Sequence, residues 1–218
     1  MMKIAVIGAT GLVGHATVQE LAARGHEVTG FARNVDKVLK ADNVKAVQAD
    51  VNAADFAEKL KGFDAVVSAF NGGWTNPNLA ADTEKGSASI LAAAKEANVP
   101  YLLVVGGAGS LYVAPGLQLV DTPEFPAEVY PAANVVRNLL TELQGRRDIN
   151  WSFLSPAAMF AVAPLSFEKT GAYRLGKDDM LTNKDGSPAN ITVPDIAVAI
   201  ADDVEQKAHL FERFTVAN

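Results

Sequence analysis

KIAVIGATGLVG, from Lys3 to Gly14, sets an apolar strand, a glycine-spaced turn and the opening of a helix in direct succession. Ile4-Ala5-Val6-Ile7 is continuously apolar, the pattern of a parallel strand covered on both faces. Gly8, Gly11 and Gly14 follow at a spacing of three, and Val13, Val18, Leu21 and Ala22 continue with helical periodicity. Such a turn aims backbone N–H groups and the positive end of a helix dipole at a pyrophosphate. Gly8 permits the tight turn, Gly11 the close approach of phosphate, and Gly14 the close packing of helix on strand. Thr10, Leu12 and Val13 complete the predicted cofactor-binding turn. A glycine triplet alone is a weak signal; framed by a strand and a helix it points to a dinucleotide.

Working outward, strand-like and helix-like segments alternate. Strands are predicted at Glu27–Ala32, Val44–Ala49, Asp64–Ala69 and Tyr101–Val105, and helices at Leu12–Arg24, Val35–Leu39, Ala53–Leu60 and Asn78–Ala97. This order predicts an α/β fold, a doubly wound parallel sheet with right-handed crossovers and helices on both faces. Gly106–Pro126 is rich in glycine and proline and reads as a loop over the carboxyl edge of the sheet. Ala127–Gly145 reads as a helix and Trp151–Ser155 as a sixth strand. Short strands are expected at Ala172–Leu175 and Met180–Thr182, a final helix at Thr192–Gln206 and a closing strand at Phe211–Val216. Thr192 is placed to cap that last helix, with Asp195 three residues on. With no repeat or linker, residues 1–218 are expected to form one domain, with 156–190 as a small irregular lobe on the substrate side.

Composition narrows the chemistry. The chain has 218 residues, 49% of them hydrophobic and 20% charged, with a net charge of −6 and no cysteine. Absent cysteine excludes disulfides, thiolate nucleophiles, iron–sulfur clusters and cysteine-rich zinc sites, so redox chemistry must come from a bound organic cofactor. Lysine and arginine are scattered, which disfavours nucleic acid as a partner. No apolar run approaches the ~20 residues that span a bilayer. The first apolar stretch runs straight into the glycine turn without a cleavage site, so it reads as structure rather than signal peptide. The expected address is the cytoplasm, with no membrane partner, as a monomer or homodimer.

The tips of the predicted strands hold the remaining cofactor candidates. Arg33, at the end of the second strand and about 20 positions past the glycine turn, stands where an arginine accommodates a ribose 2′-phosphate. NADP(H) is thereby favoured over NAD(H), although Asp36, one turn on, keeps a ribose 2′-hydroxyl partner in play, and Arg33 also fits a solvated loop charge. Asp50 and Val51 fit either an adenine contact or, for Asp50, the cap of the next helix. Ala69 and Phe70 begin a small-residue stretch, through Gly72 and Gly73, that lets backbone pass close to a cofactor. His15, His26 and His209 show no metal-ligand spacing, and no metal site is expected. Trp74, in the loop after the fourth strand, fits either a loop anchor or an aromatic surface for a planar acceptor.

GATGLVG (Gly8–Gly14), Arg33, the fourth-strand tip and VVGGAGSLYVAPG (Val104–Gly116) together resemble the atypical short-chain dehydrogenase/reductases. The likeness is to the NADH-flavin reductase branch, related to the NmrA-like and biliverdin-reductase-B-like proteins. It extends through TGAYRLGKDDML (Thr170–Leu181), ITVPDIAVAIADDVE (Ile191–Glu205) and RFTV (Arg213–Val216). The resemblance implies a Rossmann-type fold and NAD(P)H-dependent hydride transfer to a small planar acceptor such as a flavin or quinone. It leaves as alternatives a non-catalytic NAD(P)-binding sensor of the NmrA-like type and a nucleotide-sugar epimerase or dehydratase. Typical members carry Tyr-x-x-x-Lys; here Tyr130 is followed by Asn134, which supplies no charge to lower the tyrosine pKa. Tyr130 stands as a candidate proton donor or a pocket wall. In the GGAGSL stretch, Gly107 or Ala108 faces the expected nicotinamide and Ser110 is the candidate donor to an acceptor carbonyl, or a turn residue. Pro156, after the sixth strand, matches the family's cofactor shelf or simply ends the strand.

Overall fold

A computed structural model describes residues 1–160 and 162–218. In chain order the elements are β1 (Lys3–Ile7), α1 (Leu12–Ala23), β2 (Glu27–Ala32), β3 (Val44–Gln48), α2 (Phe56–Lys59), β4 (Ala65–Ser68), α3 (Leu79–Glu96) and β5 (Leu102–Val105). There follow β6 (Tyr112–Ala114), β7 (Leu117–Gln118), α4 (Tyr130–Gln144), β8 (Trp151–Pro156), β9 (Arg174–Gly176), α5 (Val193–Gln206) and β10 (Glu212–Ala217). One sheet runs in the order β3-β2-β1-β4-β5-β8-β10-β9, with β6 and β7 forming a separate hairpin. Every pairing in the large sheet is parallel except β9 against β10. This is the expected Rossmann-type α/β architecture.

Period-two alternation divides β1 between two cores. Ile4 and Val6 pack with Val18 and Leu21 of α1 and with Ile196 and Ile200 of α5. Ala5 and Ile7 face the other way, towards Ile90 and Leu91 of α3 and Leu140 and Leu143 of α4. Burial on both faces explains why the strand is apolar throughout instead of alternating with polar residues.

Polar side chains close the ends of this sandwich. At the amino-terminal edge of the sheet, Tyr101 Oη and Ser152 Oγ donate to Asp203 Oδ2 at 2.7 and 2.8 Å, and His209 Nδ1 lies 2.7 Å from Asp203 Oδ1. The end of α5 is thereby tied to the starts of β5 and β8. At the other end of α5, Thr192 Oγ1 accepts from the Asp195 backbone N–H at 3.2 Å, the predicted cap. Asp195 is fully buried. Its carboxylate accepts from Gly171 N at 2.9 Å, Thr170 Oγ1 at 2.6 Å and Asn218 Nδ2 at 2.7 Å.

Several sequence expectations are corrected. Val35–Leu39 is not a helix: a single turn, Val38 N–H to Val35 carbonyl at 3.0 Å, stands in its place. A five-residue run does not repay helix nucleation, and Val38 is drawn instead onto β2, where a β-carbon on Gly30 would lie 2.9 Å from its Cγ1. Met180–Thr182 forms no strand; Asp179 and Thr182 make only isolated bridges, to Tyr112 and Pro188. The loop expected over Gly106–Pro126 contains the β6–β7 hairpin and two single 3-10 turns, Ala108–Ser110 and Leu119–Asp121. α2 and α4 begin at Phe56 and Tyr130, three residues later than read from sequence. No helix among the described residues is long and apolar enough to cross a membrane.

The Asp195 cluster makes stability pH-dependent. Burial alone would raise its pKa, but the hydrogen bonds from Thr170, Gly171, Asn218 and Thr192 outweigh it and hold the carboxyl below the usual aspartate value. A group depressed in the folded state stabilises fully above its unfolded pKa of about 4 and loses that contribution as pH falls through the folded value. Urea unfolding is expected to show Asp195→Ala less stable by about 1–3 kcal/mol at pH 7, with the deficit shrinking on acidification below pH ~4.

Candidate functional site

Because β3, β2, β1, β4, β5 and β8 run parallel in the large sheet, their carboxyl ends share one edge. Along that edge stand Asp50 after β3, Arg33 after β2, Gly8 after β1, Ala69 after β4, Gly106 after β5 and Pro156 ending β8. Helices turn to opposite faces between β1 and β4, so a crevice opens there.

The crevice floor is the glycine turn. Gly8 has φ of +79° and a β-carbon on it would lie 2.5 Å from the Ala69 carbonyl oxygen. Gly14 is tighter: a β-carbon there would lie 2.1 Å from the Gly8 carbonyl oxygen. That same carbonyl accepts from Gly11 N–H at 3.0 Å. Gly11 caps α1 without a side-chain acceptor. Among the described residues, the N–H groups of Leu12, Val13 and Gly14 are left unbonded, while the helical pattern begins with His15 N–H on the Gly11 carbonyl at 2.8 Å. Three free donors at the positive end of a helix are suited chemically to an anion such as a phosphate. Thr10 is half-buried beside them.

Arg33 is exposed just beyond β2, and no ion pair among the described residues uses its guanidinium. Asp50 caps neither helix nor strand. Its Oδ1 accepts from Asn52 N–H at 2.9 Å, closing a local turn, and Val51 is buried next to it. The ring of Phe70 turns away from the crevice onto α3, where a β-carbon on Gly86 would meet it at 2.3 Å. Only the backbone of Ala69 and Phe70 therefore faces Gly8. Pro156 is buried and pairs with Val216 of β10.

On the substrate side, Gly106 passes so close to Phe153 that a β-carbon would lie 2.0 Å from its ring, whereas Gly107 has only Val136 Cγ1, at 3.7 Å. A side chain at Gly107 would thus meet only an ordinary contact, with Val136, whereas one at Gly106 has no room. Ser110 is turned inward: it is 2% exposed, and its Oγ accepts from Arg213 Nη1 at 3.2 Å. Tyr130 opens α4 at 40% exposure. Asn134 does not face it as a charged partner would; its Oδ1 accepts from Arg137 Nε at 3.1 Å, and Arg137 is paired with Asp121 at 2.7 Å. A hollow of about 550 Å³ lies between the β6–β7 hairpin and Asp179–Thr182, lined by Tyr112, Pro115 and Met180. Trp74 is 72% exposed on a braced loop in which Thr83 Oγ1 accepts from Gly72 N–H at 2.9 Å. Among the described residues no group of three or more potential metal ligands is found.

Residues 8–207 match the family described as NAD(P)H-binding. The chain belongs to this NAD(P)H-binding family. A Bacillus subtilis relative, the uncharacterised protein YwnB, is 43% identical over 219 aligned positions, 100% of this chain and 99% of its own. A Bacteroides thetaiotaomicron structure described as a candidate epimerase superposes with a TM-score of 0.89 at 39% identity, covering 99% of this chain and 96% of that one. A Streptococcus pneumoniae structure described as a candidate NADH-flavin reductase gives a TM-score of 0.87 at 35% identity, covering all of both chains. The resemblance read from sequence is thus carried by the family and by its structural neighbours.

Two residues of the site were missed from sequence alone. Arg213 and Asp178 sit within RFTV and GKDDML, segments that carried the resemblance, but a long-range pairing has no local periodicity to reveal it. The glycine geometry separates two roles within the family's turn. Gly14→Ala is expected to destabilise by about 3 kcal/mol, because the added carbon meets backbone. Gly11→Ala is expected to change stability by less than about 1 kcal/mol while weakening dinucleotide binding, as read by fluorescence titration alongside urea unfolding.

Proposed function

We propose that the chain is an NADPH-dependent reductase that passes a hydride to a small planar acceptor, a flavin or a quinone, without a Tyr–Lys pair. The carrying observation is the combination, among the described residues, of three free N–H groups at the start of α1 with an unpaired Arg33 at the tip of β2. Leu12, Val13 and Gly14 would hold the pyrophosphate, and Arg33 would read a ribose 2′-phosphate. Backbone at Ala69 and Phe70, with Asp50, Val51 and Pro156, would line the rest of the dinucleotide. When bound, reduced nicotinamide supplies the hydride. The chain's own task is to hold an acceptor flat beside the Gly106–Gly107 backbone, and an electron-poor flavin or quinone demands little proton chemistry of its neighbours. The description of the Streptococcus pneumoniae neighbour supports this acceptor class. We place the reaction in the cytoplasm, where reduced dinucleotide is kept.

A second reading, a dinucleotide-responsive regulator without turnover, is favoured by Asn134, which leaves Tyr130 with no cationic neighbour from the usual motif. Sugar epimerisation, which the Bacteroides description raises, requires that missing pair. Anaerobic oxidation of NADPH with FMN, riboflavin and a quinone distinguishes these readings: tight NADPH binding with no turnover of any acceptor would select the regulator. Tyr130→Phe is expected to retain turnover. Arg33→Ala is expected to lower the NADPH-to-NADH affinity ratio by about 10–100-fold, corresponding to a charge-assisted phosphate contact of ~1.5–3 kcal/mol; an unchanged ratio would assign the 2′-phosphate elsewhere.

A further inference from the structure

Three segments far apart in the chain, GGAGSL (Gly106–Leu111), GKDDM (Gly176–Met180) and RFTV (Arg213–Val216), meet at one side chain. Arg213 lies on β10 and is 6% exposed. Its Nε donates to Asp178 Oδ1 at 2.8 Å, and its Nη2 lies 2.7 Å from the same oxygen and donates to the Asp178 carbonyl at 3.2 Å. Its Nη1 donates to Ser110 Oγ at 3.2 Å and to Ser155 Oγ at 3.4 Å. One guanidinium thus joins the turn after β5, the end of β8 and the irregular segment after β9.

Donor counting gives this clamp a direction. A guanidinium has five N–H donors and no acceptor, so Ser110 and Ser155 accept from it and keep their own protons uncommitted. Among the described residues, neither hydroxyl donates to any protein group. Thr215, two positions along β10 and on the same face as Arg213, is fully buried, and its Oγ1 has no partner among the described residues. The carboxylate that balances the charge, Asp178, is on the outer side with its side chain 56% exposed. The Arg213 guanidinium and the Ser110 and Ser155 hydroxyls therefore form one buried group, with the balancing carboxylate at its outer side. At the start of the turn the Gly106 N–H donates to the Leu154 carbonyl at 2.8 Å, and a β-carbon on Gly109 would lie 3.4 Å from Val120 and 3.5 Å from Ala133. At the far end of the turn, Arg213 is the side chain that holds Ser110.

We propose that Arg213 is a positioning residue for hydride transfer: by tying Ser110 to the end of β8 and to the segment after β9, it fixes the Gly106–Ser110 turn where the planar acceptor would lie. This deepens the reductase reading and rests on it. Lysine keeps the charge but cannot reproduce a three-way fork.

The test compares wild type with Arg213→Lys, Arg213→Ala, Ser110→Ala and the Ser110→Ala/Arg213→Lys double variant. The readouts are NADPH affinity, the emission of bound NADPH, and turnover with FMN and a quinone. Affinity is expected to hold, because the glycine turn is untouched. The emission of bound NADPH is expected to shift in the Arg213 variants, and added guanidinium is expected to return it towards wild type in Arg213→Ala. Turnover is expected to fall about tenfold or more in Arg213→Lys. The double variant is expected to be no slower than the slower single variant, as for residues acting as one unit. Unchanged emission and turnover in Arg213→Lys, or fully additive losses in the double variant, would overturn the proposal. If wild type reduces neither acceptor while the emission still shifts and returns with guanidinium, the reductase reading fails and the placement of the turn by Arg213 stands. Ser110→Ala removes a single oxygen, so it decides the hydroxyl's part if the Arg213 variants fail to fold; turnover equal to wild type would overturn it.

Discussion

The contact between Gly14 and the Gly8 carbonyl governs how the rest of the molecule is arranged. With a β-carbon position only 2.1 Å from that oxygen, no other residue lets α1 descend so closely onto the end of β1. The closeness allows β1 to leave the sheet through a left-handed glycine and return as a helix within four residues. It sets the line of α1 across the sheet, and α5 packs against α1 to close that face of the core. The same contact leaves the first N–H groups of α1 facing outward at the crevice between β1 and β4. Close packing and anion binding are two results of one steric condition.

Around that crevice the polar groups are sorted by position. Buried carboxylates with full complements of donors lie away from it: Asp203 at the opposite edge of the sheet and Asp195 at the flank where α5 meets the C-terminal lobe. These tie helices and loops to the sheet. The carboxyl edge instead presents donors without partners among the described residues, at Leu12, Val13 and Gly14 and at Arg33. Such an edge complements phosphates and carbonyl oxygens, while the satisfied clusters elsewhere hold the scaffold against which those donors are aimed.

The parts legible in sequence are those governed by local rules. The parallel strands announce themselves as apolar runs, α3 and α5 by length and periodicity, and α5 also by its Thr192 cap. Arg33 was found by counting from the glycine turn. Illegible parts were governed by distant neighbours. Val35–Leu39 has a helical pattern, but the space over Gly30 claims Val38. Tyr112–Gln118 reads as loop because Pro115 and Gly116 dominate its composition, yet they form the hairpin turn, with Gly116 at φ +74°. Phe70 reads as a cofactor residue by position, but its ring fills the space left by Gly86 in α3.

Sequence alone thus determined the class of fold and the glycine turn, since these follow from periodicity, glycine spacing and right-handed crossovers acting over short stretches. Tertiary structure decided which side chains meet across the edge. Ser110 looked like an open hydroxyl in a glycine-rich loop, and only the arrival of Arg213, 103 residues later in the chain, turns it inward and fixes its hydrogen-bonding sense. The reason is physical: a donor or acceptor is characterised by the partner it has in space, and a one-dimensional pattern does not carry partners that a β-sheet brings together across half the chain.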